Sequence, residues 1–138
     1  MNLFCYGSLQ FGAVMRAVTG REFEGEEAEL DGFARYRFRD ASYPGITPEP
    51  GSRTEGTLFR GVDGTALEAL DRFEGARYER LEVEVRTRHG GRLAAQVYVV
   101  RAADRAELSR DAWDKARFGR QELDAFLRRL HPVPGGEA

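Results

Sequence analysis

The stretch from Tyr78 to Val100, YERLEVEVRTRHGGRLAAQVYVV, limits the folds open to this chain more than any other. Leu81, Val83 and Val85 alternate with charged residues before HGG; Leu93, Ala95, Val97 and Val99 alternate after it. Side chains on a strand point to opposite faces in turn. Both runs therefore predict strands with one apolar face, and HGG predicts the turn of an antiparallel hairpin.

The remaining segments predict what surrounds that hairpin. NLFCY is a short apolar run, and FGAVMRAVTG can hold one or two helical turns stopped at Gly20. A strand is expected at FARYRF, within a segment carrying Phe23, Leu30, Phe33, Tyr36 and Phe38. YPGITPEPGS holds three of the five prolines and is expected to be loop, whereas TEGTLFRGV reads as strand. In DGTALEALDRFEG, Leu67, Leu70 and Phe73 recur at helical spacing, Asp63 or Thr65 can cap the start, and Gly75 can close the end. RDAWDKARFGRQELDAFLRRL predicts helix with Leu123, Phe126, Leu127 and Leu130 on one stripe, a break at Gly119, and Trp113 and Phe118 as core anchors. Neither a βαβ alternation nor an all-β pattern fits this order. It predicts an α+β fold with a largely antiparallel or mixed sheet, open or closed into a barrel. Residues 1–130 are expected to form a single domain, with 131–138, HPVPGGEA, as a flexible tail.

Charge and composition then remove whole classes of function. At 138 residues, 21 basic against 23 acidic side chains give a formal net charge of −2, not the basic footprint of a nucleic-acid binder. Cys5 is the only cysteine, and His89 and His131 the only histidines, so no metal site is expected. Lys115 is the only lysine, on an expected exposed helix face, which argues against Schiff-base chemistry. MNLF is too short for a signal peptide or a spanning helix, leaving a cytoplasmic location without membrane contact as the expectation. No cofactor is expected, and no oligomeric state is assigned.

Carboxylates, tyrosines and a glycine loop remain as candidates for chemistry. Gly7-Ser8-Leu9, within YGSL after the first apolar run, can turn backbone N–H groups into an anion cradle or simply end a strand. Glu74 falls at the C-terminal end of an expected helix, where the helix dipole and any shielding by Phe73 oppose ionisation. Such a carboxyl suits a general base near neutral pH; the plain alternative is an exposed helix glutamate. Tyr43, Tyr78 and Tyr98 can donate hydrogen bonds into a pocket or merely pack.

Taken in order, YGSL, YPGI, EGTLF, LDRFEGARYER, VYV and a C-terminal helix with Trp and Phe resemble the gamma-glutamylcyclotransferase-like superfamily, over approximately Leu3 to Phe126. The gamma-glutamylamine cyclotransferase-like branch is the nearest in pattern. The pairing of YGSL with LDRFEGARYER downstream selects the functional readings of the loop and of Glu74. The resemblance implies a small mixed, mostly antiparallel β-barrel flanked by helices. It also implies conversion of a gamma-glutamyl amine or amino acid to 5-oxoproline and the free amine, by attack of the substrate's own α-amine. By position, Glu74 would be the general acid/base, and Tyr6, Gly7, Ser8 and Leu9 the loop that holds the glutamyl group. Tyr78, with Tyr43 and Tyr98, would line the pocket. After YGSL the chain reads QFGAVM, where Gly12 matches that branch's polar pattern but Ala13 and Met15 do not, so the leaving amine stays unassigned. The alternative is a non-catalytic module binding a small carboxylate metabolite in the same pocket.

Overall fold

The predicted hairpin is present in a computed structural model of the chain. β4 (Tyr78–Thr87) and β5 (Arg92–Val100) pair antiparallel from Tyr78 opposite Val100 to Arg86 opposite Arg92. The structure describes residues 1–130, so the tail expected at 131–138 lies outside the described residues. Three further strands, β1 (Leu3–Cys5), β2 (Gly25–Arg37) and β3 (Pro44–Phe59), close a barrel in the order β1-β3-β2-β4-β5. All neighbours are antiparallel except β1 and β5, which meet in parallel at Leu3 and Gln96. Helices α1 (Gly12–Thr19), α2 (Gly64–Glu74), α3 (Lys115–Gln121) and α4 (Leu123–Leu130) flank it. This is the small mixed barrel with flanking helices that the resemblance implied. Among the described residues, no helix is long and apolar enough to cross a membrane.

Strand alternation sorts the apolar side chains into two clusters. One draws on all five strands and fills the barrel, with Phe4, Leu30, Ile46, Leu58, Val85 and Val97 among its members. The opposite face of the same strands, through Leu3, Cys5, Tyr98 and Val100, packs against Val14, Met15, Leu67, Leu70, Phe118 and Phe126 of the helices. Leu81, expected on the apolar face of the hairpin, is instead 39% exposed.

Two expectations are corrected. YPGITPEPGS is not a loop but the first part of β3, paired with β2 from Arg37 opposite Pro44 to Phe33 opposite Pro48. Its prolines, Pro44, Pro48 and Pro50, are spaced by even numbers, so their missing N–H groups fall on one side of the strand. Only β2 pairs with this part of β3, and an edge of that kind tolerates proline. The C-terminal helix breaks at Glu122 rather than at Gly119, and begins only after Asp114, whose side chain caps α3 by accepting from the Arg117 N–H at 2.8 Å. Gly119 sits inside α3, where an added Cβ would lie 3.1 Å from the Phe11 ring. Its small size serves packing rather than a break. Trp113 and Phe118 are buried, as expected.

α2 begins where Asp63 accepts from the Ala66 N–H at 2.9 Å. Its Leu67 and Leu70 are buried, and it ends at Gly75, whose φ of +79° suits glycine and few other residues. That stop fixes the position of the preceding residue, Glu74.

Candidate active site

The polypeptide leaves β1 at Tyr6, passes Gly7 and makes a 3-10 turn over Ser8–Gln10 before α1. Within this bend the N–H groups of Gln10 and Phe11 donate to the carbonyls of Gly7 and Ser8, each at 3.1 Å. Those of Gly7, Ser8 and Leu9 find no acceptor among the described residues. A Cβ on Gly7 would stand 3.0 Å from the Pro44 ring, so glycine is what lets this loop lie against the start of β3.

Between the loop and the end of α2 lies a cavity of about 260 Å³. The structure brings to its wall every residue singled out in the sequence: Tyr6, Gly7, Ser8, Leu9, Tyr43, Glu74, Tyr78 and Tyr98. Phe4, Cys5, Pro44, Phe73, Phe126 and Leu130 complete it. Of these, the sequence offered a signal for Phe73, as a shield for Glu74, for Pro44, within YPGI, and for Phe126 and Leu130, on the apolar stripe of the last helix.

Glu74, the last residue of α2, is half-buried, and among the described residues none hydrogen-bonds its carboxyl. Burial, with a smaller contribution from the charge of Asp71, pushes that carboxyl up from 4.5 to about 8. Asp71 itself stays ionised. The Arg80 guanidinium grips it with two hydrogen bonds, at 2.9 and 3.2 Å, and Tyr98 donates to it at 2.7 Å, holding it below the usual carboxylate range. One turn of helix thus carries two carboxyl groups with opposite tendencies, one paired and charged, the other unpaired and inclined to keep its proton.

The tyrosines differ from the sequence expectation in direction. The Tyr78 hydroxyl donates to the Pro44 carbonyl at 2.7 Å, the Tyr98 hydroxyl to Asp71, and the Tyr6 hydroxyl to the Tyr98 carbonyl at 2.6 Å. Each phenol has a single proton, so Tyr78 and Tyr98 have none left to donate into the pocket; their oxygens can only accept there. Burial raises the pKa of Tyr6, Tyr78 and Tyr98 above the ordinary phenol value, and they stay neutral. Burial, then the Glu74 charge, raises the Cys5 thiol well above its usual value as well, which withholds the thiolate a nucleophile requires. Among the described residues no group of three or more His, Cys, Asp or Glu is placed to hold a metal ion.

The cavity is therefore asymmetric. Unpaired N–H donors of Gly7, Ser8 and Leu9 border one part, while Glu74 and the phenol oxygens offer acceptors elsewhere. Such a wall suits a ligand with an anionic and a cationic end, as in the head of an α-amino acid.

A family model described as gamma-glutamyl cyclotransferase, AIG2-like, matches residues 3–115. AIG2-like protein C of Arabidopsis thaliana is 32% identical over 127 residues, 91% of this chain and 73% of that protein. AIG2-like protein A of the same plant is 36% identical over 99 residues, 71% of this chain and 60% of its own length. The solution structure of another Arabidopsis thaliana protein superposes with a TM-score of 0.72 at 28% identity, covering 99% of this chain and 91% of its own. A solved gamma-glutamyl cyclotransferase, 14% identical, shares the fold with a TM-score of 0.64 over 96% of this chain and 87% of its own.

Proposed function

Because the chain belongs to the gamma-glutamyl cyclotransferase, AIG2-like family, we propose that its pocket cyclises a gamma-glutamyl compound to 5-oxoproline, with Glu74 moving the proton. The observation that carries this reading is the raised Glu74 carboxyl in the same cavity as the unpaired N–H groups of the Gly7–Leu9 bend.

The substrate's α-carboxylate lies against those N–H groups, and its α-ammonium faces Glu74 and the accepting phenol oxygens. A cation beside Glu74 favours its ionised form, so the arriving ammonium meets a carboxylate. The ammonium of an α-amino acid head holds its proton more firmly than an ordinary carboxyl does, so the raised proton affinity of Glu74 narrows the gap that the proton must cross. The freed amine attacks the γ-carbonyl carbon, closing a five-membered ring and placing charge on the carbonyl oxygen, which backbone donors stabilise. Glu74 returns the proton to the departing nitrogen as its bond to that carbon breaks, and the ring nitrogen sheds its second proton to the same carboxylate, which leaves a neutral lactam and the free amine. Both reacting groups belong to one molecule, so holding the glutamyl chain folded supplies much of the rate and the protein needs no nucleophile of its own.

The test is incubation with gamma-glutamyl amines, dipeptides and glutathione, with 5-oxoproline read by mass spectrometry. Turnover by the wild type, lost by at least about 1,000-fold in Glu74→Gln, is the expected result. Binding without turnover would make the pocket a carboxylate-binding module instead.

A further inference from the structure

The unpaired N–H groups of Gly7, Ser8 and Leu9 belong to three peptides whose carbonyls are all taken. Those peptides are trans, so in each the N–H points away from the carbonyl. The Phe11 N–H holds the Ser8 carbonyl, and the N–H and Nε2 of Gln10 hold that of Gly7 at 3.1 and 3.3 Å. These holds are local to the bend. The Tyr6 carbonyl is held instead by Arg35 of β2, whose Nη1 donates to it at 2.8 Å and to the Glu55 carbonyl of β3 at 2.9 Å. Pairing of β1 with β3 ends at Cys5 opposite Thr57, and the guanidinium bridges the two strands where they part. It lies over Trp113, 5.4 Å from the ring centroid, and that indole is itself fixed by donating to the Ser42 carbonyl at 2.8 Å. Arg35 does not line the cavity. With Gln10, Glu55 and Thr57 it lines a groove on the other side of the bend.

We propose that Arg35 is a positioning residue for the anion cradle: by holding the Tyr6 carbonyl from behind the bend, it aims the Gly7 N–H at the substrate's α-carboxylate. This rests on the cyclotransferase reading of the pocket. Glycine at position 7 leaves the peptide before it free to turn, so its plane needs a hold from outside the bend. A guanidinium supplies more than a hold. Its charge on the carbonyl draws electron density from the N–H of the same peptide, which makes that N–H a stronger donor on the cavity side. Without Arg35 the carbonyl would turn to water in the groove, and the donor would lose both its aim and its polarisation. The α-carboxylate takes no part in bond making, so it is held alike in the ground state and the transition state. Loss of Arg35 therefore falls on KM more than on kcat.

The test compares wild type with Arg35→Met, which keeps an unbranched stem over Trp113 and removes the cation. Two substrates are used: the best gamma-glutamyl compound of the panel, and the same compound with its α-carboxylate converted to a carboxamide. The wild type is expected to prefer the carboxylate by at least about tenfold in kcat/KM. Arg35→Met should narrow that preference by at least about fivefold, chiefly through KM. A merely structural loss would slow both substrates alike. Circular dichroism and a melting curve check that the variant is folded. A wild-type preference at or below one, or a preference unmoved in folded Arg35→Met, overturns this role for Arg35 while leaving the cyclotransferase reading intact. Should Arg35→Met not fold, Arg35→Lys replaces it, because a single ammonium spans the two carbonyls poorly. A narrowing of at least about twofold is then expected, and none overturns the role. If no compound of the panel is cyclised, the cyclotransferase reading fails and calorimetry judges the cradle with 5-oxoproline and 5-oxoprolinamide. Tighter binding of the acid, with the gap narrowed in Arg35→Met, supports the role; an unmoved gap, or no binding of either, overturns it.

Discussion

The interior of the cavity and its rim are held in place by different forces. In the interior, hydrogen bonds fix the polar groups: Tyr6, just after β1, reaches the Tyr98 carbonyl on the neighbouring strand β5, Tyr78 reaches Pro44, and Tyr98 closes on the Asp71–Arg80 pair. At the rim, where Tyr43, Phe73 and Leu130 are part-exposed, edge-on aromatic contacts join Tyr43, Phe73 and Phe126, with no polar bond between their side chains among the described residues. Directional bonds specify where an acceptor sits, and a proton transfer needs that. Apolar packing specifies only a shape and a polarity. A chain can therefore change its rim without disturbing the chemistry within, provided Glu74 keeps its surroundings.

Substitutions on each side should separate the two roles. The largest effect is expected from Glu74→Gln, which removes the proton carrier while keeping shape, whereas Leu130→Ala at the rim should change kcat/KM by only about tenfold or less. Comparable losses from both would erase the distinction. Phe126→Ala removes a buried ring and should lower stability by about 3–4 kcal/mol in urea unfolding, because Phe126 also packs on Phe118.

Glu74→Gln should act on stability with the opposite sign. The folded-state pKa of Glu74, about 8, lies above its unfolded value near 4.5, so between these pH values the native state holds a proton that the unfolded chain releases. The resulting penalty grows from pH 4.5 to about 8 and is complete above that. The glutamine variant escapes it, and at pH 9 should be more stable than wild type by roughly 1–3 kcal/mol, with little difference near pH 4.5. Tyr78→Phe, which leaves the Pro44 carbonyl without its donor, should cost about 1–2 kcal/mol. The smallest expected effect belongs to Asp71→Asn. Loss of its negative charge lowers the Glu74 pKa, so the ascending limb of the pH–rate profile moves to lower pH.

The polar interior was the more legible half in the sequence. YGSL and LDRFEGARYER are local strings whose order marks the loop and Glu74, and Asp63 and Gly75 announce the helix that delivers the carboxyl. The directions of the tyrosine hydroxyls were not legible, because their acceptors are carbonyls distant in sequence, as with Tyr6 and Tyr98. The first part of β3 was hidden because composition registers three prolines but not that their missing donors share one edge, whereas its second part was read as strand in TEGTLFRGV. The stripe of Phe126 and Leu130 was visible as an apolar helix face, yet periodicity does not say which surface such a face covers. Phe73 was legible as a shield for Glu74, but its contact with Phe126 was not, because the two lie on helices far apart in sequence.

The pH dependence of kcat/KM, with 5-oxoproline as the readout, tests most directly whether burial has made Glu74 the working base. The expected profile falls by about tenfold per unit below a pKa near 8, and that limb is missing from the residual activity of Glu74→Gln. A profile that is flat from pH 6 to 9, or that breaks near the ordinary carboxyl value of 4.5, would contradict it.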